Sequence, residues 1–329
     1  MMANETVVHV KAINETVSEL AQLAVRPDSA VFQQTLVRAK AGEKNAQLEV
    51  SASLLWCAFA APQAISPIYD MLSQTYLQRP TVPVSLDVAE VEIPESFWQV
   101  FANTLTGPEG GYDAITITAT VAALGSSVAP KFHTLVEDAA CQHPGADNAA
   151  TKSVPPLMVF ADIESCPPGS LGHALYRMLV DNGYDPEVLD RDAIGLSKLK
   201  PAVRYLNTRI LQMHDVWHLV AGYQTTSLHE IAISSFQLAQ FGHNYSAMFL
   251  ATVATMSQSN GPEAFNLMMR IISESWVHGR ETPPLMAIEF ETEWQASITD
   301  IRSRYSIDPF KGSFPADLFE QLKAAGVAA

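Results

Sequence analysis

In the second half of the chain, apolar residues recur at the three-to-four-residue spacing of amphipathic helices. Glycine and proline punctuate these runs where helices begin or end. Pro201 is tolerated in the first turn of its helix, and Gly183 and Gly222 follow the last turns of theirs. Strand-like alternation does not appear in this half. The pattern predicts helices over residues 170–182, 198–221, 228–256, 263–278 and 285–305.

The first half of the chain gives more irregular helical patterns. Two helices are expected within residues 15–41, separated at 26–29, where an Asp or a Ser caps the second. Residues 49–77 predict a helix with a proline interruption, and the Pro- and Val-rich residues 78–94 predict a loop. Residues 114–124 are ambiguous, because their β-branched residues favour a strand and their alanines a helix.

Taken together, these patterns predict an all-α fold, a multi-helix bundle. Residues 143–156, which contain Pro, Gly and Asn, are the best linker candidate in the chain. The expected divisions are an N-terminal helical region packing on the core (1–85), an uncertain helical segment with linker (86–157), a metal-binding helical core (158–310) and a C-terminal tail (311–329).

Charge is scarce and mostly negative. Only 17% of the 329 residues are charged, and the formal net charge is -15. Nucleic-acid binding is excluded, because it needs a basic face, and so is simple electrostatic adhesion to an anionic membrane. Residues 50–69 and 231–262 carry no formal charge, but their polar residues predict burial in protein rather than a membrane span. Three cysteines without a CxxC pair, and no recognisable leader, favour a reducing, cytoplasmic location.

Two histidines stand four residues apart in the helix predicted over 198–221. At about 100° per residue, His214 and His218 lie roughly 40° apart on one face, close enough to share a cation. Asp215 lies about 100° from His214, where its carboxylate either ligates a metal or orients an imidazole. Apolar neighbours on this arc indicate that the three groups point inward. Two imidazoles with one or two carboxylates suit zinc, iron or manganese.

The next predicted helix carries a second carboxylate, Glu230. The short loop 222–226 folds this helix back antiparallel and places Glu230 opposite the histidines. An alternative explanation is local, because Ser227 at the N-cap and Glu230 at N3 form a capping box. Both hypotheses account for Glu230 at this point.

The pattern H-D-x-x-H-x11-E, formed by His214, Asp215, His218 and Glu230, resembles the metal motif of the coenzyme Q (ubiquinone) biosynthesis protein 4 family. The similarity covers about residues 158–307, with a weaker match over 20–41 and no alignment for 82–147. Phe290 stands where that family usually has Trp. The flanking segments that also resemble the family are 169–172, Arg209, Gly222, 276–279 and 284–291.

This resemblance implies a metal site between two consecutive antiparallel helices. The implied ligands are His214, Asp215, His218 and Glu230, holding a divalent Zn, Fe, Mn or Mg ion, with Asp215 also catalytic. The implied reaction is oxidative decarboxylation of a polyprenylated hydroxybenzoate, in which a hydroxyl replaces the carboxylate at ring carbon 1. The implied partners are a polyprenylated aromatic lipid, other ubiquinone biosynthesis enzymes and, peripherally, the inner membrane surface; a homodimer is compatible with it.

The family also implies an apolar cavity for the prenyl chain. We expect Arg209, Trp217, Phe241 and Met248 to contact this substrate. Flexible thioethers suit a flexible apolar ligand, although a methionine stripe at helical spacing usually belongs to an ordinary hydrophobic core. Residues 231–262 are expected to continue the helix that carries Glu230 and to form a wall of the prenyl tunnel.

Two other functions remain open at this point. The first is a non-catalytic scaffold that presents prenylated intermediates to other enzymes; its metal would be sealed, whereas a catalytic metal keeps an open position beside the cavity. The second is a hydrolase of the HD phosphohydrolase type, which needs a further upstream His and a downstream Asp. No pairing in this sequence supplies them convincingly.

Overall fold

The structure is a computed structural model that describes residues 2–108, 111–112, 114–184, 191–192 and 195–326. Helices are the only extended regular elements in these ranges, apart from one isolated antiparallel bridge between Ser170 and Ser297. The predicted all-α, multi-helix fold is confirmed. The α-helices are α1 Met2–Leu23, α2 Ser29–Lys40, α3 Lys44–Phe59, α4 Ile65–Tyr76, α5 Glu95–Thr106, α6 Ala114–Leu124, α7 Phe132–Ala140, α8 Phe160–Glu164, α9 Leu171–Asn182, α10 Pro201–Ala221, α11 Ser227–Phe241, α12 Asn244–Ser259, α13 Pro262–Glu281, α14 Ile298–Tyr305 and α15 Leu318–Ala324.

The chain forms two compact units, each assembled from separate stretches of sequence. The first comprises residues 1–136, 244–276 and 322–329, and the second comprises residues 137–243 and 277–321. The four sequence ranges proposed above stay a prediction. None of the helices in the described ranges has both the length and the apolar character needed to cross a membrane.

The first unit is built on α3, which is buried along most of its length because it carries apolar and small side chains on every face. Trp56 and Phe59 of this helix are almost completely buried. The predicted break before α2 is confirmed, since the Asp28 carboxylate accepts hydrogen bonds from the first backbone amides of that helix. In the same unit, the Trp276 indole lies 5.0 Å from the Tyr69 ring and donates a hydrogen bond to Asp70.

The second unit contains the helices whose ends were predicted most closely. α9 begins at the Ser170 cap and ends at Gly183, and α10 has Pro201 in its first turn and ends at Gly222, as predicted. Both glycines adopt the left-handed conformation that stops a helix, which side chains with a Cβ adopt only with strain.

The helix predicted over residues 228–256 is wrong as a single element. It ends at Phe241, because Gly242 takes a left-handed conformation (φ 61°), and a new helix starts at Asn244. A Cβ on Gly242 would lie 2.4 Å from Nε2 of His143, so no larger residue fits there without displacing that ring. Only residues 231–241 of the chargeless stretch therefore continue the helix of Glu230, and the residues from Asn244 onwards belong to the other unit.

The helix predicted over residues 285–305 is also only partly correct. Two short 3-10 turns, Leu285–Ala287 and Phe290–Thr292, come first, and the α-helix starts at Ile298 after its Ser297 cap. The ambiguous residues 114–124 are helical, with Val121 and Leu124 buried one turn apart. Within the predicted linker 143–156, Ala146 and Ala149 are fully buried.

Candidate functional site

The candidate site lies where α10 and α11 face one another. α10 ends at Gly222, where a Cβ would lie 2.8 Å from the Cβ of Pro309, so the close approach of that segment requires glycine. After a short loop, α11 starts at Ser227. The last two turns of α10 and the first turn of α11 supply the three side chains that converge in the site.

Three side chains converge there. The Nε2 atoms of His214 and His218 are 3.0 Å apart. Glu230 presents one carboxylate oxygen to each ring, with Oε2 3.4 Å from Nε2 of His214 and Oε1 3.4 Å from Nε2 of His218. Within the described residues, these three are the group of His, Cys, Asp and Glu side chains whose ligand atoms lie within 4.8 Å of one another.

The cluster is open on one side and closed on the other. The His218 side chain is only 1% exposed, whereas those of His214 and Glu230 are 30% and 40% exposed. A small molecule can therefore approach the Glu230 side, while the base of the cluster is fixed in the protein interior.

The capping explanation for Glu230 is wrong. Thr226, not Ser227, occupies the N-cap of α11, and it makes no side-chain capping bond. The Ser227 amide and hydroxyl instead donate to the Glu320 carboxylate. The Glu230 carboxylate points at the two histidines instead, so its contacts with them, and not helix capping, account for its position.

Each imidazole also has a hydrogen-bond partner at Nδ1, the ring nitrogen that does not contact Glu230. The Nδ1–H of His218 donates to the Tyr223 carbonyl oxygen at 3.3 Å. Nδ1 of His214 lies 2.7 Å from Nε2 of the Gln237 amide, on a side chain that is 3% exposed. Sequence reasoning missed Gln237, although a polar residue seven positions after Glu230 lies on the same face of α11.

The electrostatics of the cluster favour an ionised carboxylate beside a basic imidazole. Burial lowers the pKa of His214, but the hydrogen bond and charge of Glu230 outweigh burial and raise this pKa above its ordinary value. Burial likewise raises the pKa of Glu230, but the adjacent His214 and His218 imidazoles outweigh burial and hold this pKa well below its usual range.

Asp215 lies outside the three-residue group. Its side chain is half-buried, and its negative charge contributes to the raised pKa of His214. The cluster expected from sequence is therefore assembled from two imidazoles and one carboxylate, with Asp215 adjacent to it.

Arg209, expected to contact substrate, is engaged elsewhere. Its guanidinium binds both carboxylate oxygens of Glu291 and lies near the Ile288 carbonyl, and its side chain is 8% exposed. This two-pronged ion pair connects α10 to the second 3-10 turn, Phe290–Thr292. Its geometry indicates a structural anchor, and its predicted contact with substrate stays a prediction.

Two of the other expected substrate contacts meet in the second unit. The rings of Trp217 and Phe241 lie 4.5 Å apart, and both are almost fully buried. The Trp217 indole nitrogen is buried without a hydrogen-bond partner among the described residues. Met248 is buried in the first unit, next to Gly125.

A separate cavity of about 480 Å³ lies beside Gln212 and Met213 of α10. Residues 155–158, Gln212, Met213, Glu291 and Trp294 contribute to its lining, and Trp217 and Phe241 do not. The walls combine proline, methionine and tryptophan with carboxylate and amide groups, so the cavity is of mixed polarity.

Comparison with known proteins links this site to one family. The sequence profile described as "Coenzyme Q (ubiquinone) biosynthesis protein Coq4" matches residues 117–311, more than half of the chain, and this range contains the whole cluster. The match leaves the first hundred or so residues, including α1 to α5, outside the family region.

Several named relatives are similar over a little less than half of the chain. The mitochondrial ubiquinone biosynthesis protein COQ4 homolog of Drosophila melanogaster is 27% identical over 151 residues, 45% of this chain and 53% of that protein. The homolog from Rattus norvegicus is 25% identical over 150 residues, 46% of this chain and 55% of that protein. The chain therefore spans about half the length of these relatives.

One solved structure is also similar. It is a crystal structure from Nostoc punctiforme of a protein named for a proposed role in ubiquinone biosynthesis. It is 24% identical, covers 65% of this chain and 95% of its own, and superposes with a TM-score of 0.47.

Proposed function

The chain belongs to the coenzyme Q (ubiquinone) biosynthesis protein Coq4 family, and we propose that it acts in ubiquinone synthesis as a metal-dependent enzyme. The proposed substrate is a polyprenylated hydroxybenzoate, whose carboxylate at ring carbon 1 is replaced by a hydroxyl. The observation that carries the proposal is the partly exposed cluster of His214, His218 and Glu230.

The donor set of the cluster suits a divalent cation. In a tetrahedral site with bonds of about 2.0–2.1 Å, ligand atoms are separated by roughly 3.3 Å. The separations of 3.0, 3.4 and 3.4 Å among the nitrogens and oxygens of His214, His218 and Glu230 are close to this value. Three protein ligands also leave positions for water or substrate, and the donor set suits Zn, Fe, Mn or, less closely, Mg.

The reaction needs charge stabilisation and an oxidant. When bound, a divalent ion supplies a Lewis acid that stabilises negative charge on the substrate as carbon dioxide leaves. Written with water as the oxygen source, the ring acid and water give the phenol, carbon dioxide, two protons and two electrons. The electrons require an acceptor such as dioxygen, which favours a redox-active ion over zinc.

The chain's own residues bind and orient the substrate in this proposal. Glu230 and His214 form the open side of the cluster, where the ring carboxylate approaches. Asp215 accepts one of the two protons that the reaction releases. Its half-buried carboxylate lies beside His214 but outside the three convergent ligand groups, so a metal ion would leave it free for this role. Trp217 is also proposed as a substrate contact, because its buried indole N–H has no hydrogen-bond partner among the described residues and leaving a buried donor unpaired costs about 1–3 kcal/mol.

The scaffold function is the second candidate. It would present prenylated intermediates to other enzymes without chemistry, and a metal in it would be structural and closed. The 40% exposure of Glu230 favours the catalytic alternative, since a structural site is saturated by protein ligands. Both candidate functions include peripheral contact with the inner membrane and contact with other ubiquinone biosynthesis enzymes.

The test is turnover of a prenylated 4-hydroxybenzoate-type acid by metal-loaded protein. Carbon dioxide release and formation of the C1 phenol are followed together by mass spectrometry. We expect the His214→Ala, His218→Ala double variant to lose turnover and the exposed-histidine control His133→Ala to keep it. Turnover retained in the double variant contradicts the catalytic proposal, and lipid binding without turnover in wild type favours the scaffold.

A further inference from the structure

The two histidines of the cluster are anchored by different kinds of hydrogen-bond partner. His218 meets a backbone carbonyl, that of Tyr223, at 3.3 Å. His214 meets a side-chain amide, that of Gln237, at 2.7 Å. The difference matters because the partner of Nδ1 decides which nitrogen of a neutral imidazole carries the proton.

The anchor of His218 admits one tautomer only. A carbonyl oxygen accepts and never donates, so the proton of neutral His218 is on Nδ1 and the lone pair of Nε2 faces the cluster. The carbonyl is itself held in place, because the Tyr223 hydroxyl hydrogen-bonds Nδ1 of His278 at 2.8 Å and its ring stacks on Phe310.

The anchor of His214 admits both tautomers. With its NH2 group toward Nδ1, as in this structure, the Gln237 amide donates, and neutral His214 carries its proton on Nε2 facing Glu230. With the amide turned by half a revolution, its oxygen accepts from Nδ1–H and the Nε2 lone pair faces the cluster. Only the second arrangement leaves His214 able to ligate a cation through Nε2.

We propose that Gln237 is a positioning residue that orients the His214 ring and, by rotation of its amide, switches His214 between a hydrogen-bonding and a metal-ligating tautomer. This inference rests on the proposed metal function and adds a residue to it. Gln237 is 3% exposed, so the protein interior rather than solvent holds the amide against the ring.

A neighbouring glutamine shows what a purely structural amide looks like. Gln240 lies one turn later on α11 and is 6% exposed. Its NH2 group donates to the carbonyls of Gly279 and Thr282, while its oxygen accepts from the Leu285 amide. These three bonds fix the orientation of that amide, and none of them reaches the cluster, so Gln240 provides a matched control.

The experiment compares Gln237→Leu, Gln237→Glu and Gln240→Leu in the full chain. Zn2+ and Co2+ affinities are measured by competition with a chromogenic chelator, and the His214 tautomer by 15N NMR of histidine-labelled protein, assigned with His214→Ala. Loss of an outer hydrogen bond to a metal-binding histidine typically weakens binding about 10–100-fold. We expect that loss in Gln237→Leu, and wild-type or tighter binding in Gln237→Glu, whose carboxylate always accepts from Nδ1–H.

Gln240→Leu is expected to unfold at lower temperature yet bind Zn2+ with wild-type affinity. Gln237→Leu binding Zn2+ as tightly as wild type, with an unchanged His214 spectrum, would overturn the inference. A wild-type protein that binds neither ion contradicts the proposed function instead. In that case the metal-free spectrum alone decides: a Nδ1 signal that shifts in Gln237→Leu supports the anchor, and one that does not shift overturns it.

Discussion

Gly279 allows the close approach on which the position of α11 depends. It lies in α13, and a Cβ placed on it would be 2.7 Å from both the Ala239 Cβ and the Phe236 carbonyl oxygen. Ordinary contacts between such atoms are about 3.5–4.0 Å, so Gly279→Ala must move the two segments apart by roughly 1 Å. The neighbouring Gln237 would move with Phe236.

The expected change in stability follows from two opposing effects. Overpacking costs about 1–3 kcal/mol, and the upper end applies here because one clashing atom is backbone and cannot rotate away. Alanine's better helix propensity offsets up to about 1 kcal/mol. The free energy of unfolding of Gly279→Ala should therefore fall by about 2 kcal/mol, with a Tm lower by roughly 3 °C.

Thermal and urea unfolding measure this change, with Zn2+ affinity as the second readout. Gly125→Ala is the control, because the nearest atom to its new Cβ, the Ala122 carbonyl oxygen, would be 3.2 Å away and the Met248 side chain 3.7 Å away. It should change stability by less than Gly279→Ala and leave Zn2+ affinity unaltered. A Gly279→Ala protein as stable as wild type, with wild-type affinity, would refute the packing argument.

Three other changes test separate parts of the structure. Glu230→Gln removes the charge between the histidines, so Zn2+ affinity should fall at least 10-fold in the chelator assay, and unchanged affinity would exclude Glu230 as a ligand. Burial and the charge of Arg280 lower the pKa of His143 from 6.5 to about 4 in the folded protein. Because the unfolded chain therefore binds this proton more readily, neutral His143 stabilises the fold fully above pH 6.5, and up to about 3 kcal/mol of stability is lost as the pH falls towards 4. His143→Gln should flatten that dependence in unfolding measured from pH 7 to 4.5, and a slope equal to wild type would contradict it. Arg209→Lys keeps the charge but loses the two-pronged bond to Glu291, so stability should drop by about 1 kcal/mol with Zn2+ affinity intact; a large loss of affinity would instead assign Arg209 to the site.

Helical geometry is regular enough that the sequence predicted the proximity of His214, His218 and Glu230, although it also placed Asp215 among the ligands. The i,i+4 spacing of His214 and His218 fixes their common face, and the short loop after Gly222 limits where Glu230 can lie. The same regularity explains why the caps at Asp28 and Ser170 and the stops at Gly183 and Gly222 were predictable.

What escaped prediction depends on contacts between residues distant in sequence. Gly242 ends α11 where the His143 ring packs against it, a contact 99 residues away that no local pattern contains (242 − 143). Gln237 is one of several polar residues on α11, and only the packing of α10 shows that it meets His214. The capping box at Ser227 was a valid local pattern, but the Glu320 carboxylate competes for the Ser227 amide and hydroxyl.

The chargeless residues 231–262 do not form the single long helix that their sequence predicted. Residues 231–262 have no formal charge, but Gly242 divides them between α11 and α12, in two different units. The stretch behind Glu230 therefore supplies only the first of these helices to the surroundings of the cluster. The rings of Trp217 in α10 and Phe241 in α11 pack against each other in this unit.

Binding of one divalent cation by His214, His218 and Glu230 underlies the whole proposed function. It is tested most directly by native mass spectrometry of purified protein with metal quantification, repeated after loading with Zn2+, Mn2+ or Fe2+. We expect one tightly bound ion per chain in wild type and in His133→Ala, and none in the His214→Ala, His218→Ala variant. A wild-type protein that retains no ion under any of these conditions, or a double variant that still retains one, would contradict it.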